Sequence, residues 1–350
     1  LILLLPVAIG ILLITFIIVR AIPGDPCKAM LGERATEEKC NDFRERYGLN
    51  DNILVQFVRY IGNMVTGDFG ESIRFSRPVV DIVAERLPMT VELTLFAMLF
   101  STTVGITLGI VSALKPNSLV DTFTMVIANI GVSMPVFWLG LLLAYIFALT
   151  LKGTFLELPP SGRFGATIVL QPLSRVWGLE DLTGVKKWLI YFLSNSAIFN
   201  SIVTGNWSQL KEALRHLILP SVAVGTIPLA IIARMTRSTL VEIMQQDYIR
   251  TARAKGARES RVVRQHALRN VMIPVITIIG IETGALLSGA VLTETVFLLP
   301  GVGTMLVQSI LGRDYPVVQG FTLIIAIIFV VVNLIVDISY AYLDPRVRLE

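Results

Sequence analysis

The sequence predicts an all-α polytopic membrane protein: six transmembrane helices, large external loops and one basic segment held between two spans on the cytoplasmic side. Three observations carry that expectation. The chain is 54% hydrophobic and only 16% charged, against about a quarter charged in an ordinary soluble domain, and its mean hydropathy is +0.71. Six runs come close to the roughly 20 apolar residues that a helix needs to cross hydrocarbon. Lysine and arginine gather in alternate short loops, as they do on the cytoplasmic side, whereas long loops cross largely regardless of charge. The net charge of +4 therefore needs no nucleic acid to explain it, and no alternation of basic and stacking aromatic residues is present.

Taken in order, residues 1–20 hold the first span, Leu1–Val19. No small-residue cleavage site follows it, and AIPGDP fits one poorly, so the span is expected to be retained. The chain opens on Leu rather than Met, and its natural start is expected upstream. Residues 21–88 form a mixed-charge external loop. Within it ATEEKCNDFRERYGL reads as a helix, with Thr36 as N-cap and Glu37 and Glu38 beside the positive helix terminus. Cys27 and Cys40, the only two cysteines, both fall in this loop. Outside the membrane such a pair can form a disulfide; the alternative is two unrelated small residues.

Residues 89–350 form the core, with five more spans: about Met89–Leu114, Thr122–Leu151, Leu217–Met235, Val271–Phe297 and Val317–Tyr342. Glu92 lies near the outer end of the second span, beside Pro88 at an expected helix start, and reads as structural with a role at the mouth as the alternative. Gly105 and Gly109, and Gly280, Gly284 and Ser288, have the small-xxx-small spacing that lets helices approach closely. Pro135, Pro228 and Pro274 interrupt spans and are candidate kinks. An external insertion occupies about 152–216, and a cytoplasmic segment about 238–270. WLIYFLSNSAIFNSIVTG at 188–205 is apolar but broken by Ser194, Asn195, Ser196 and Asn200. A seventh span there would push the basic segment outside, so it is expected to be an external helix lying on the membrane or the protein. Asp337, near the cytoplasmic end of the last span, needs only snorkelling or a neighbouring arginine.

The densest charge lies in DYIRTARAKGARESRVVRQHALRN, residues 247–270, with seven Lys and Arg against Asp247 and Glu259. As one helix, 250–264 would set Arg250, Arg253, Arg261 and Arg264 on one face. Gly256 opposes that, since an interior glycine costs about 1 kcal/mol relative to alanine. Two short helices meeting near Gly256, parallel to the membrane, are expected. Attraction to anionic lipid would account for the charge alone. It does not account for TARAKGA, where Ala252, Ala254, Gly256 and Ala257 form a nearly bare surface among cations, which suits a docking surface for another protein.

At this point the motifs become specific. YIRTARAKGARESRVVRQHALRNVMIPV resembles the cytoplasmic coupling segment of ATP-binding-cassette (ABC) importer permeases, most of all the dipeptide/oligopeptide/nickel branch. The family's Glu-Ala-Ala, three residues, Gly pattern falls on Arg250, Thr251, Ala252 and Gly256; the literal Glu and the Leu-Pro that often follows are absent. AIPGDP (21–26), GDFGESIRFSRPVVDIVAERLPMTVEL (67–93), SMPVFWLG (133–140), RHLILP (215–220), ETVFLLPGVG (294–303), RDYPVVQG (313–320) and DPRVRL (344–349) agree, leaving mainly 164–205 unmatched. The resemblance implies a subunit of the bacterial or archaeal cytoplasmic membrane with both termini inside. It would form half of a peptide pathway beside a second permease, expected to be a different gene product. Two ATPase subunits holding ATP and Mg, an external substrate-binding protein and membrane lipid complete the assembly, with no nucleic acid. Tyr248, Arg250, Thr251, Ala252, Arg253, Ala254, Lys255, Gly256 and Ala257 would form the coupling helix, within 247–264. Nickel, glutathione and certain sugars are carried by similar members, and no spacing here separates them from peptides.

The chain has no G-x-x-x-x-G-K-[ST] loop to cradle ATP phosphates, so it is expected to have no ATPase site and no cofactor of its own. Metal-ligand spacing is absent too, His216 and His266 falling on opposite sides of the membrane. Glu282, well inside the fifth span where a charge is costly, is expected to line the path with Ser288 and favour a substrate ammonium group; a contact with the sister subunit or a protonated side chain is the alternative. The small face of the fifth span is a candidate surface against that sister subunit. A secondary transporter or channel not driven by ATP is the runner-up, but it calls for paired ionisable residues in several spans or an internal repeat. An intramembrane enzyme would need a nucleophile with its base or a metal pair, which the two histidines do not supply.

Overall fold

Long apolar runs leave the backbone few ways to satisfy its N–H and C=O groups away from water. The chain takes the helical one: every regular element among the described residues is a helix, beside one antiparallel bridge between Glu71 and Pro78. The computed structural model describes residues 35–343 except 47, 166–169, 180 and 181, together with 10, 12–14, 16, 17 and 27. The span expected over 1–20 lies largely outside the described residues, and AIPGDP (21–26) and the tail DPRVRLE (344–350) lie wholly outside them.

In chain order the helices are α1 (Glu37–Arg46), α2 (Ile53–Val65), α3 (Val79–Leu114), α4 (Leu119–Ser133), α5 (Val136–Ala144), α6 (Leu173–Val176), α7 (Gly184–Asn195), α8 (Ala197–Val203) and α9 (Trp207–Ile243). After these come α10 (Asp247–Ala254), α11 (Glu259–Arg261), α12 (Leu268–Leu287), α13 (Val291–Val296), α14 (Val302–Leu311) and α15 (Tyr315–Leu343). Wider π turns follow α5 and join α11 to α12. Four stretches are long and apolar enough to cross a membrane: Val79–Leu114, Trp207–Ile243, Glu259–Leu287 and Tyr315–Ser339.

Several boundaries differ from the sequence reading, each for a local reason. The second span starts at Val79, so Pro88 and Glu92 lie inside α3 rather than at its start. The run expected as one span over 122–151 is two helices. Met134, the residue before Pro135, is extended (φ −117°, ψ 140°), since the proline ring disfavours the helical conformation before it. Pro228 and Pro274, by contrast, sit within unbroken helices. The fifth span ends at Leu287, and Gly289 at φ 106° separates it from α13. Residues 188–205 are not one helix. Ser196 divides α7 from α8, and the 12 and 7 residues of these helices are too short for hydrocarbon roughly 30 Å thick. Helix α14 was not anticipated at all.

The chain divides into two compact units: 1–90 with 169–206 and 300–330, and 91–168 with 207–299 and 331–350. In the first, the Thr36 hydroxyl caps α1 by accepting from the Lys39 N–H at 3.4 Å. Cys27 and Cys40 are joined by a disulfide, Cα–Cα 5.5 Å, and cluster with Ile73. Asp314, fully buried, accepts from the Ser72 hydroxyl and from the N–H groups of Ile73 (3.0 Å) and Arg74 (3.2 Å), which fixes the loop before α3 onto the start of α15. The Trp188 indole N–H donates to the Val80 carbonyl at 3.0 Å.

In the second unit α9 is the central element, with 72% of its most apolar window buried. Gly105 and Gly109 let α3 lie directly on it: a Cβ at Gly109 would stand 2.6 Å from Thr236 Cβ and 2.7 Å from the Ala233 carbonyl oxygen. The packing read from their spacing is present. The small face of α12 is occupied within the chain, however, since a Cβ at Gly280 would meet Val336 of α15 at 2.2 Å. Gly280 is therefore not free to face a sister subunit.

Candidate functional site

The basic segment folds as an elbow. Gln246, extended at φ −69° and ψ 149°, starts α10, and Asp247 occupies its first turn, where the helix dipole favours an anion. At the other end the Gly256 N–H donates to the Arg253 carbonyl at 2.9 Å and the Ala257 N–H to the Ala252 carbonyl at 3.2 Å, the paired bonds of a Schellman stop. Gly256 sits at φ +80°, a region that residues with a Cβ rarely enter, and nothing lies within 4 Å of where its Cβ would be. The single helix over 250–264 is thereby ruled out, and two short helices meet at Gly256 as the glycine foretold.

Ile249 holds the elbow down. It is fully buried in one cluster with Leu240 of α9, Val262, Ala267, and Val271 and Val275 of α12. The Asn270 amide donates to the Tyr248 hydroxyl at 2.7 Å, a second tie to α12. Across the bend the Arg253 guanidinium donates to both Glu259 oxygens, at 2.6 and 3.1 Å. That hydrogen bonding draws the Glu259 carboxyl below its usual range and raises Arg253. Arg250, exposed, pairs with Asp247 at 3.2 Å, a contact that solvent makes weak.

The bare surface read from TARAKGA needs correcting. Ala252 and Ala257 are half-buried and pack against the elbow's own core. The face left open consists of Arg250, Thr251, Ala254, Lys255 and Gly256, with Tyr248 at its edge. Arg253 is exposed but committed to Glu259.

A second polar centre, unread in the sequence, lies at the same end of the helices. Asp121, 4% exposed, begins α4 and takes a bidentate pair from Arg237 of α9, at 2.7 and 2.6 Å. The Ser112 hydroxyl at the end of α3 and the Asn117 N–H, at 2.8 Å, also donate to it. The Arg237 guanidinium, helped by Ser112 and Asn117 against the opposing effect of burial, holds the Asp121 carboxyl well below the usual carboxylate range. One carboxylate thus joins three helices. The only sequence hint was its position three residues after Ser118, the cap of α4.

The remaining expected residues are scattered. Glu92 is buried and paired with Arg163 at 2.9 Å, which favours its structural reading. Glu282 is half-buried in α12 with no ion pair among the described residues. Ser288 caps that helix, and its hydroxyl donates to the Gly284 carbonyl at 3.1 Å. The two are six residues apart, so they lie about a third of a turn from each other around the helix and do not share a face. Asp337 is exposed, with no arginine partner among the described residues. No group of three or more His, Cys, Asp or Glu positioned to hold a metal occurs among the described residues.

Helices long and apolar enough to cross a membrane, with a basic elbow docked on two of them, define a polytopic membrane protein. The chain belongs to the family described as binding-protein-dependent transport system inner membrane component, which it matches over residues 105–349, with the N-terminal region of such membrane components matched over residues 1–94. It is 44% identical to the dipeptide transport system permease protein of Alkalihalophilus pseudofirmus over 99% of this chain and 97% of that protein. Identity to the dipeptide transport system permease protein of Escherichia coli K12 is 41%, over 99% and 96% of the two chains. Against the oligopeptide transport system permease protein of Bacillus subtilis it is 37%, over 98% and 96%. The resemblance read from the motifs, that of an ABC importer permease, is borne out.

Proposed function

We propose that this chain forms half of the membrane pathway of an ATP-driven importer for peptides, working beside a second permease subunit. Both termini and the elbow face the cytoplasm, where two separate ATPase subunits that bind ATP and Mg grip residues 247–264. A substrate-binding protein delivers peptide from outside, to the large loops 21–88 and 152–216. The substrate class rests on the relatives, whose names are those of dipeptide and oligopeptide permeases.

The observation that carries the coupling role is the seating of α10 by Ile249 into one cluster with Leu240 of α9 and Val271 of α12. A close-packed core transmits displacement rather than absorbing it. A push on the exposed face of α10 is therefore delivered to the ends of two membrane helices at once. Such a push switches the pathway when the ATPases contact the elbow differently in their open and closed states. Glu282 would meet a peptide's ammonium group, and retention of transport and substrate range in Glu282→Gln would remove that role.

The test is to purify the tagged chain gently from its native membrane and identify what accompanies it. Gly256→Trp, which projects a large side chain from the open face, is expected to strip the ATPases. Gly256→Asn, which tolerates positive φ, is expected to keep them. ATPases retained by Gly256→Trp would move the docking surface elsewhere. A lone chain transporting in vesicles without ATP would favour the secondary-transporter reading.

A further inference from the structure

Thr122, Met125, Val126, Asn129, Ile130 and Ser133 of α4, with Met134 just beyond its end, line an open groove of about 450 Å³ that is apolar except at Thr122, Asn129 and Ser133. Thr122 and Ser133 are exposed, and so is Arg234 on the neighbouring α9. Arg234 donates to the Asn129 side-chain oxygen at 2.7 Å, while the Asn129 amide donates to the Met125 carbonyl, also at 2.7 Å. Among the described residues no carboxylate pairs with Arg234.

An arginine near the end of a span usually reaches outward to the headgroups. Arg234 reaches the other way. The clamp of Arg237 on Asp121 marks a common level on the two helices. From it Arg234 is three residues along α9 and Asn129 eight residues along α4, or about 4.5 Å and 12 Å at the helical rise. The guanidinium therefore extends deeper into the bundle, and Asn129 holds it there. An exposed cation held by one amide oxygen at this depth is costly against lipid and belongs beside water or a charged partner.

We propose that this face of α4, with Arg234, lines the wet part of the translocation path, and that Arg234 guides the carboxylate of the transported peptide. The occupant rests on the peptide reading above; the wet, cationic character of the face does not. The guanidinium's fork geometry matches a carboxylate, and Asn129 fixes one edge of it while leaving the rest available.

The test uses the assembled importer reconstituted in vesicles. Arg234→Gln is expected to slow ATP-dependent uptake of a zwitterionic dipeptide at least tenfold at an equal amount of assembled complex, and Arg234→Lys to recover most of the rate. Separately, Ser133→Cys in the complex is expected to react several-fold faster with an anionic methanethiosulfonate than with a cationic one of similar size, with adding Arg234→Gln abolishing the preference. Labelling is read by mass on this chain. Wild-type uptake in Arg234→Gln would overturn the carboxylate role. A Ser133→Cys that neither reagent reaches, or one without charge preference, would overturn the wet cationic face. Were the wild-type complex to import no dipeptide, the peptide reading would fall, and the labelling, which uses no peptide, would still decide the face.

Discussion

Asp121 and Asp314 are both buried carboxylates that bind distant parts of the chain, and they are stabilised in opposite ways. Asp121 is met by a full countercharge, the bidentate Arg237, with Ser112 and Asn117 in support. Asp314 accepts from one hydroxyl and two backbone N–H groups, and Ile73, which supplies one of them, packs on the Cys27–Cys40 disulfide. Helix ends that must stay in register across three elements are joined by charge. A loop that must keep one shape is joined by backbone dipoles and a covalent link. A charge pair tolerates small shifts of the helices, because both partners are side chains, whereas backbone donors fix the loop itself.

Removing one half of the charge pair is expected to cost most. Asp121→Ala leaves the Arg237 guanidinium, 29% exposed, without its partner, a loss of about 3 kcal/mol. Thermal unfolding in detergent should show it, and replacing both residues by Leu and Met should recover part of the loss. Full stability of the single variant would show that the clamp is dispensable. The pair also predicts an acid response. Its carboxyl titrates lower when folded, so the unfolded chain binds more protons between the two values. The stabilisation is present above about pH 4 and is lost progressively as the pH falls below it. Asp121→Asn should flatten that part of the acid-stability curve.

Opening the disulfide tests the other region. Cys27→Ser, which releases a link between residues 13 apart, is expected to cost about 2–3 kcal/mol. Limited proteolysis should find the new cleavage confined to the loop around residues 27–76. Asp314→Asn retains size but offers an N–H₂ where donors already point, an expected loss of about 2 kcal/mol. Combined with Cys27→Ser, its effect should be more than additive, because Ile73 serves both anchors; simple additivity would show that they act independently. The smallest effect belongs to the elbow. Glu259→Gln removes an exposed pair with Arg253 and should change stability by less than about 1 kcal/mol, more at low salt than at high. Its folded carboxyl is also drawn down, so that small contribution too is lost on acidification.

The residues that sequence reading located well are those whose local chemistry decides their place. Thr36 ahead of two glutamates marked α1, and Gly256 amid a basic run marked the elbow. Cys27 and Cys40 are joined, as their shared loop allowed. Reading was weaker where a residue's role depends on which neighbour arrives. Nothing in TARAKGA distinguishes Ala252 and Ala257, which turn inward, from Ala254, which stays open. Nor does the sequence pair Asp121 with Arg237, 116 residues away, or Arg234 with Asn129 at a separation of 105.

By itself, then, the sequence determined an all-α membrane protein, its family and the placement of the basic segment. Hydropathy, helix period and turn chemistry act within a few residues and can be read along the chain. Tertiary structure alone decided which small residues face a neighbour, which carboxylates are clamped and which side of α4 is left open. Those outcomes follow from side-chain contacts between helices distant in sequence, where the same residue is a packing atom, an ion-pair partner or an exposed ligand depending on what packs against it.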